Sequence, residues 1–139
     1  MKEEYIENDI CEYLRLQGVS VEKIISEGFY DSNRKIYRKR KSNFVRTGSS
    51  DIHATLPPYG QGLYIEVKKP EEMKFFDRTL WEIEHALRES SAKDTSKYQR
   101  AISQITYLAE KRCMGAIAFF ASSIGEVREK LIASGVQVD

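Results

Sequence analysis

The sequence predicts an α/β domain in which a mixed β-sheet is flanked by helices. Short apolar, β-branched runs and helix-spaced apolar stripes follow one another in the order α, β, β, β, α, α, β, α. Two of the runs are joined by a compact turn segment and so form a hairpin, and no internal repeat is present. The length of 139 residues is room for a single domain spanning 1–139.

Ile6, Ile10, Tyr13 and Leu14 recur at helical spacing, with acids near the start, and predict a helix over 3–16 ended by Gly18. VSVEKII (19–25) is β-branched and predicts a strand. After a polar, positive stretch over 31–50, DIHATL (51–56) and LYIEVK (63–68) predict two strands, and PPYGQG (57–62) supplies turn chemistry between them. Beyond Pro70, Phe76, Leu80, Ile83 and Leu87 form an amphipathic stripe that predicts a helix over about 72–89, broken by 90–94. Ser96-x-x-Gln99 has the form of a capping box for a next helix that buries Tyr98, Ile102, Ile105 and Ala109 before Gly115. AIAFFA (116–121) is short and uniformly apolar, as in a buried strand. Ser123-x-x-Glu126 caps a last helix with a face of Val127, Leu131 and Ile132, stopped near Gly135.

Apolar residues make up 41% of the chain and charged residues 31%, which supplies a core and argues against collagen-like, disordered or membrane classes. The formal charge of +1 names no polyanionic partner, so the distribution of charge has to carry that question. Cys11 and Cys113 have no metal-ligand spacing and read as ordinary thiols of a reducing compartment. The acidic start MKEEYIEND is unlike a targeting peptide, and no apolar run reaches membrane length. A cytoplasmic protein with no membrane partner is expected.

Strand alternation places Ile52, Ala54 and Leu56 on one face of the hairpin with Leu63, Ile65 and Val67. Asp51 and His53 share the other face with Tyr64, Glu66 and Lys68. If Leu56 pairs with Leu63, Asp51 lies opposite Lys68 and Glu66 is its diagonal neighbour, about 7–8 Å away at the backbone. Two carboxylates that close can reach one cation. Hard oxygen donors suit Mg²⁺ or Mn²⁺, with the Val67 carbonyl as a further ligand. Phosphodiester hydrolysis needs such a set, in which the ion activates water and Lys68 orients it or shields the phosphate. A solvated, salt-bridged strand face has the same spelling, however, and Glu72-Met73-Lys74 repeats the acid-x-Lys triplet without a preceding apolar strand.

Arg46-Thr-Gly-Ser-Ser-Asp51-Ile followed by Leu63-Tyr-Ile-Glu66-Val-Lys68-Lys-Pro resembles the nuclease core of the PD-(D/E)XK superfamily, and more narrowly the small stand-alone VRR-NUC domains of phages and bacteria. The resemblance implies a restriction-endonuclease-like core and a metal-dependent nuclease in a phage or bacterial host cytoplasm. It also implies a glutamine on the helix after the Glu-x-Lys strand. Gln104-x-x-Tyr107-Leu108, then Gly115, AIAFFA and Ser122-Ser123, matches that downstream pattern, and Gln99 is a competitor nearer the helix start. A helix-one glutamate near the metal is implied as well. Glu3 is preferred, and Glu7 is the alternative one turn later. The long polar segment before Asp51 and the extra helix before Gln104 depart from the family pattern.

Arg34, Lys35, Arg38, Lys39, Arg40, Lys41 and Arg46 form an acid-free stretch interleaved with Tyr37 and Phe44 just ahead of Asp51. Together with Ser49 and Ser50 they are the expected nucleic-acid contacts, giving salt-dependent affinity without sequence readout. The sequence therefore leads to a nuclease acting on DNA, which includes branched or flapped DNA, with catalysis by Asp51, Glu66, Lys68, Gln104 and a helix-one glutamate. A Holliday-junction resolving endonuclease and a non-catalytic DNA-binding module are its rivals. The stripe at Phe76 to Leu87 is core by spacing, and the other surface it could meet is a second copy in a homodimer.

Overall fold

A computed structural model describes residues 2–24, 29–31, 36–38, 50–76, 80–89 and 92–139. Helix α1 (Glu3–Leu16) leads into β1 (Ser20–Lys23). A small antiparallel pair follows, β2 (Phe29–Asp31) and β3 (Ile36–Arg38). Next come β4 (Ile52–Leu56) and β5 (Gln61–Val67), then a 3-10 turn (Pro70–Glu72), α2 (Met73–Phe76) and α3 (Leu80–Glu89). The chain closes with α4 (Ala92–Cys113), β6 (Ile117–Ala121) and α5 (Ile124–Ala133).

The larger sheet runs β1-β4-β5-β6, antiparallel except for the parallel β5–β6 pair. This is the mixed sheet flanked by helices that the sequence predicts. Ile6, Ile10 and Leu14 of α1 and Val127 and Leu131 of α5 bury against the face carrying Ile52, Leu63, Ile65 and Val67. Eight of these side chains are fully excluded from water, and each contributes about 1.5–3 kcal/mol of transfer free energy. The opposite face is covered by α4, where Tyr107 and Leu108 pack with Ala118, Tyr64 and Phe120. A strand sandwiched in this way buries its polar residues along with its apolar ones, and β5 is that strand.

The hairpin turn is tighter than the six-residue connection expected. β5 begins at Gln61, and Gly60 (φ +79°) donates its amide to the Leu56 carbonyl at 2.9 Å in a backbone conformation that favours glycine. Leu56 therefore pairs with Gln61 and Ile52 with Ile65. The pairing is two residues away from the Leu56–Leu63 register, and because the shift is even every side chain keeps its face. Continued by one residue, the register sets Asp51 opposite Glu66 rather than opposite Lys68.

Other differences concern helix faces. The β2–β3 pair falls in a stretch read as polar segment, since three-residue strands among charges leave no alternating pattern to detect. The residues expected as one helix over about 72–89 hold the last residue of the 3-10 turn, α2 and α3, and positions 77–79 lie outside the described residues. Of its stripe, Ile83 is fully buried while Leu80 is exposed, and Phe76 stacks on Phe120 at 4.5 Å. Helix α4 begins at Ala92, so Ser96 lies inside it rather than at its cap. Its buried face is Ala101, Gln104, Tyr107 and Leu108, while Tyr98, Ile102, Ile105 and Ala109 are half-buried. Packing on both the sheet and α3 explains why two stripes share the burial. Ser123 caps α5 as expected, accepting from the Glu126 amide at 3.2 Å, but Ile132 is exposed. No helix among the described residues is long and apolar enough to cross a membrane.

Candidate active site

Asp51, Glu66, Lys68 and Gln104 meet at one end of the β4–β5 pair, beneath α4. The alternation of β5 turns Leu63, Ile65 and Val67 toward α1 and α5, so Tyr64, Glu66 and Lys68 face α4. Glu66 and Lys68 are accordingly only 3% and 6% exposed, and Gln104 closes over them at 4%. Buried polar groups in this number have to satisfy one another.

Gln104 Nε2 donates to Glu66 Oε1 at 2.8 Å, and Lys68 Nζ lies 3.7 Å from the same oxygen. Asp51 Oδ2 accepts from the Val67 amide at 2.8 Å, which ties the residue before β4 to β5. The Asp51 and Glu66 carboxyls stand near enough to act on one another's ionisation, so holding both as anions is costly when no cation separates them. Burial, reinforced by the Asp51 charge and opposed by Lys68, pushes the Glu66 carboxyl up to about 8. Asp51 is raised by burial, against the Val67 amide and the Lys68 ammonium that favour its anion. Two buried acceptors, Glu66 Oε2 and Gln104 Oε1, have no hydrogen-bond partner among the described residues.

Helix α1 delivers both of its candidate glutamates near this centre, and they differ in company. Glu3 lines a cleft with Lys68 and Gln104, and burial together with the Asp51 charge raises its carboxyl. Glu7 is raised chiefly by burial and then by Asp51, but it pairs with Lys23 Nζ at 3.4 Å, a lysine that also donates to Asn8. Between the competing glutamines the structure distinguishes clearly, since Gln99 is exposed and Gln104 is bonded to Glu66.

The cleft has a volume of about 580 Å³ and runs from Lys68 and Gln104 along α2 and the first half of α4. Lys97, Arg100 and Gln104 project into it from successive turns of α4, and Phe75 and Phe76 form its apolar wall. Lys97, Arg100, Phe75 and Phe76 went unrecognised as site residues in the sequence. The i, i+3, i+7 spacing that ends on Gln104 is the signal that connects the α4 group.

Other described polar side chains have partners of their own. His53 stands on the same sheet face one strand repeat from Asp51, with Nε2 3.1 Å from the Tyr107 hydroxyl, and burial followed by the Lys111 charge lowers its pKa. Tyr107 is 3% exposed and is part of the packing under α4. His85 stacks on exposed Trp81 and pairs with Glu89. Ser50, expected to contact nucleic acid, is 1% exposed with its hydroxyl directed at the Ile52 carbonyl at 3.4 Å, so it is withdrawn from any surface ligand. Arg38 falls in β3, while Arg34, Lys35, Lys39, Arg40, Lys41, Arg46 and Ser49 lie outside the described residues.

Among the described residues no group of three or more His, Cys, Asp and Glu side chains gathers to hold a metal ion. What gathers instead is a pair of carboxyls with an amide oxygen, and one or two protein carboxylates are what Mg²⁺ ordinarily takes, with waters completing its shell. The unpartnered Glu66 Oε2 fits that role. Compared with protein-family models, curated proteins and solved structures, the chain shows no match.

Proposed function

We propose that this chain is a divalent-metal-dependent nuclease of the VRR-NUC type, with a restriction-endonuclease-like core, that hydrolyses DNA phosphodiester bonds. The observation that carries the reading is the buried Glu66 beside the half-buried Asp51, with Oε1 near the Lys68 ammonium and Oε2 without a hydrogen-bond partner among the described residues. Burying an acid and a lysine beside a second, half-buried acid is costly, and an apolar substitute would stabilise the fold better. Function is the economical reason to keep them. The order of the parts supports the core assignment: an aspartate entering a hairpin, Glu-x-Lys on its second strand, a helix bringing Gln104, and a parallel strand alongside.

Asp51, Glu66 and the Val67 carbonyl would hold Mg²⁺ or Mn²⁺. When bound, such an ion activates water and neutralises charge on the phosphate. The side chains do the rest. Gln104 fixes Glu66 through Oε1 and so leaves Oε2 as the free donor. The Val67 amide fixes Asp51 in the same way through Oδ2. Lys68 presents a cation that orients the attacking water or offsets charge developing on the phosphate oxygens. Glu3 lies where a proton acceptor could meet water from the cleft. Substrate enters from the cleft side, with the basic segment 34–46 as the remaining phosphate contact. The free thiols Cys11 and Cys113 agree with a reducing, cytoplasmic setting.

Cleavage assays on linear, single-stranded, flapped and four-way DNA, each with and without Mg²⁺ or Mn²⁺, test the proposal. Metal-dependent hydrolysis should fall by about 10²-fold or more in Asp51→Ala and Lys68→Ala. Selective cutting of four-way DNA by a dimer would make the chain a junction resolvase. If no substrate is cut and Asp51→Ala binds DNA like the parent, the chain is a binding module and the proposal fails.

A further inference from the structure

The cleft beside the carboxyl pair has a chemistry of its own. Its described lining carries three cations, Lys68, Lys97 and Arg100, and three acids, Glu3, Glu71 and Glu72. Such a balance gives little net attraction for a duplex backbone, whose binding depends on concentrated positive charge. The distinctive part is the aromatic wall. Phe75 meets Phe76 at 5.1 Å and Tyr98 at 5.6 Å, and Phe76 continues the cluster onto Phe120. Cations lie over both phenylalanines, Lys97 Nζ at 4.9 Å from Phe75 and Lys68 Nζ at 4.8 Å from Phe76. An aromatic face with an exposed lysine's ammonium above it suits a flat, polar ring carrying a phosphate. The ring stacks on Phe75 while Lys97, an exposed residue, turns to the phosphate. The volume of about 580 Å³ is that of a small-ligand pocket and too small for a double helix.

We infer that this cleft is a subsite for one unpaired nucleotide, its base stacked on Phe75 and its phosphate held by Lys97 and Arg100. Resting on the nuclease reading above, the inference makes the substrate a strand with an unpaired nucleotide next to the scissile bond. Lys68 and Gln104 belong both to the cleft and to the Glu66 environment, so a nucleotide seated there brings its neighbouring phosphodiester to the carboxyl pair. Lys97, Arg100 and Gln104, one helical turn apart, lead the backbone in that direction.

The test uses the full chain in EDTA with a single-stranded DNA oligonucleotide carrying 2-aminopurine, whose fluorescence is quenched when it stacks. The parent should quench it, and should bind it more tightly than the duplex of the same sequence. One lost stacking contact weakens binding by about 5- to 150-fold, so Phe75→Leu should lose the quench and bind about tenfold more weakly. Phe75→Tyr should keep both. Lys97→Ala should bind more weakly while keeping the quench. Equal quenching and affinity in Phe75→Leu, or duplex bound as tightly as the single strand, overturns the subsite. Mn²⁺-dependent cleavage measured on the same proteins separates the two ideas. If the parent cuts DNA and Phe75→Leu is indistinguishable, only the subsite is lost. If the parent cuts nothing, the nuclease reading is lost, and the quench still decides the subsite.

Discussion

Replacing Glu66 by glutamine changes one atom in a buried carboxyl and removes its proton chemistry, so the variant isolates what that chemistry does to stability. In the unfolded chain Glu66 ionises near 4.5, and in the folded protein burial and Asp51 hold it protonated up to about 8. Between those values folding takes up a proton. The free energy of unfolding then falls by about 1.4 kcal/mol for each pH unit, and by roughly 5 kcal/mol over the whole window. The stabilisation is complete below 4.5 and is lost as pH rises through about 8. Asp51, Glu3 and Glu7 are shifted in the same direction and steepen the fall. His53 is shifted oppositely, from 6.5 downward, and its effect fades as pH rises past that value. Urea denaturation in EDTA from about pH 6.5 to 8 therefore reads chiefly the carboxyls, and should show a loss of about 2 kcal/mol from Glu66. In Glu66→Gln most of that loss should vanish. A parent whose stability is flat or rises over this range, or a variant that falls as steeply, refutes the reasoning.

A divalent ion displaces the proton that Glu66 otherwise holds, so Mn²⁺ at about 100 times its dissociation constant should stabilise the parent by about 2.7 kcal/mol. The gain should grow from about pH 6.5 to 8 and be absent in Glu66→Gln; a pH-independent gain in melting temperature contradicts this. Gln104→Leu removes the donor to Glu66 Oε1 and should cost about 1–3 kcal/mol in EDTA, measured by urea midpoint; a neutral result would show the 2.8 Å bond to be dispensable. Glu3 shares the cleft with Lys68 whereas Glu7 is paired with Lys23, so Glu3→Gln should lower cleavage more than Glu7→Gln, and the reverse order of rates reverses the assignment. Ile83 is fully buried on α3, and Ile83→Ala should cost about 2–5 kcal/mol by denaturant unfolding; a change under about 1 kcal/mol would mean that α3 is not packed in solution.

Local pattern carried far in this chain. The apolar repeat of α1, the alternation in β4 and β5, the apolar run of β6 and the Ser123 cap all depend on neighbours a few residues away, and all are found where the sequence puts them. The shared face of Asp51, Glu66 and Lys68 also follows from the period of two alone, which is why it survives a register two residues different from the expected one. Where a helix had two partners the pattern was ambiguous. Helix α4 buries Gln104 and Tyr107 against the sheet although the more apolar stripe at Ile102 and Ile105 lies beside them, because α3 takes part of that surface.

What the amino-acid order determined by itself was the alternation of strands and helices and the set of polar residues that share one side of the hairpin. Only the tertiary structure decided that this side is covered by α4. That covering turns a row of charged strand residues into a desolvated carboxyl pair with raised pKa values and, among the described residues, an unpartnered oxygen on Glu66. It also sets Phe75 and Lys97 beside them, more than twenty residues apart in the chain. Desolvation and long-range proximity are properties of the packed molecule, and no local spacing encodes them.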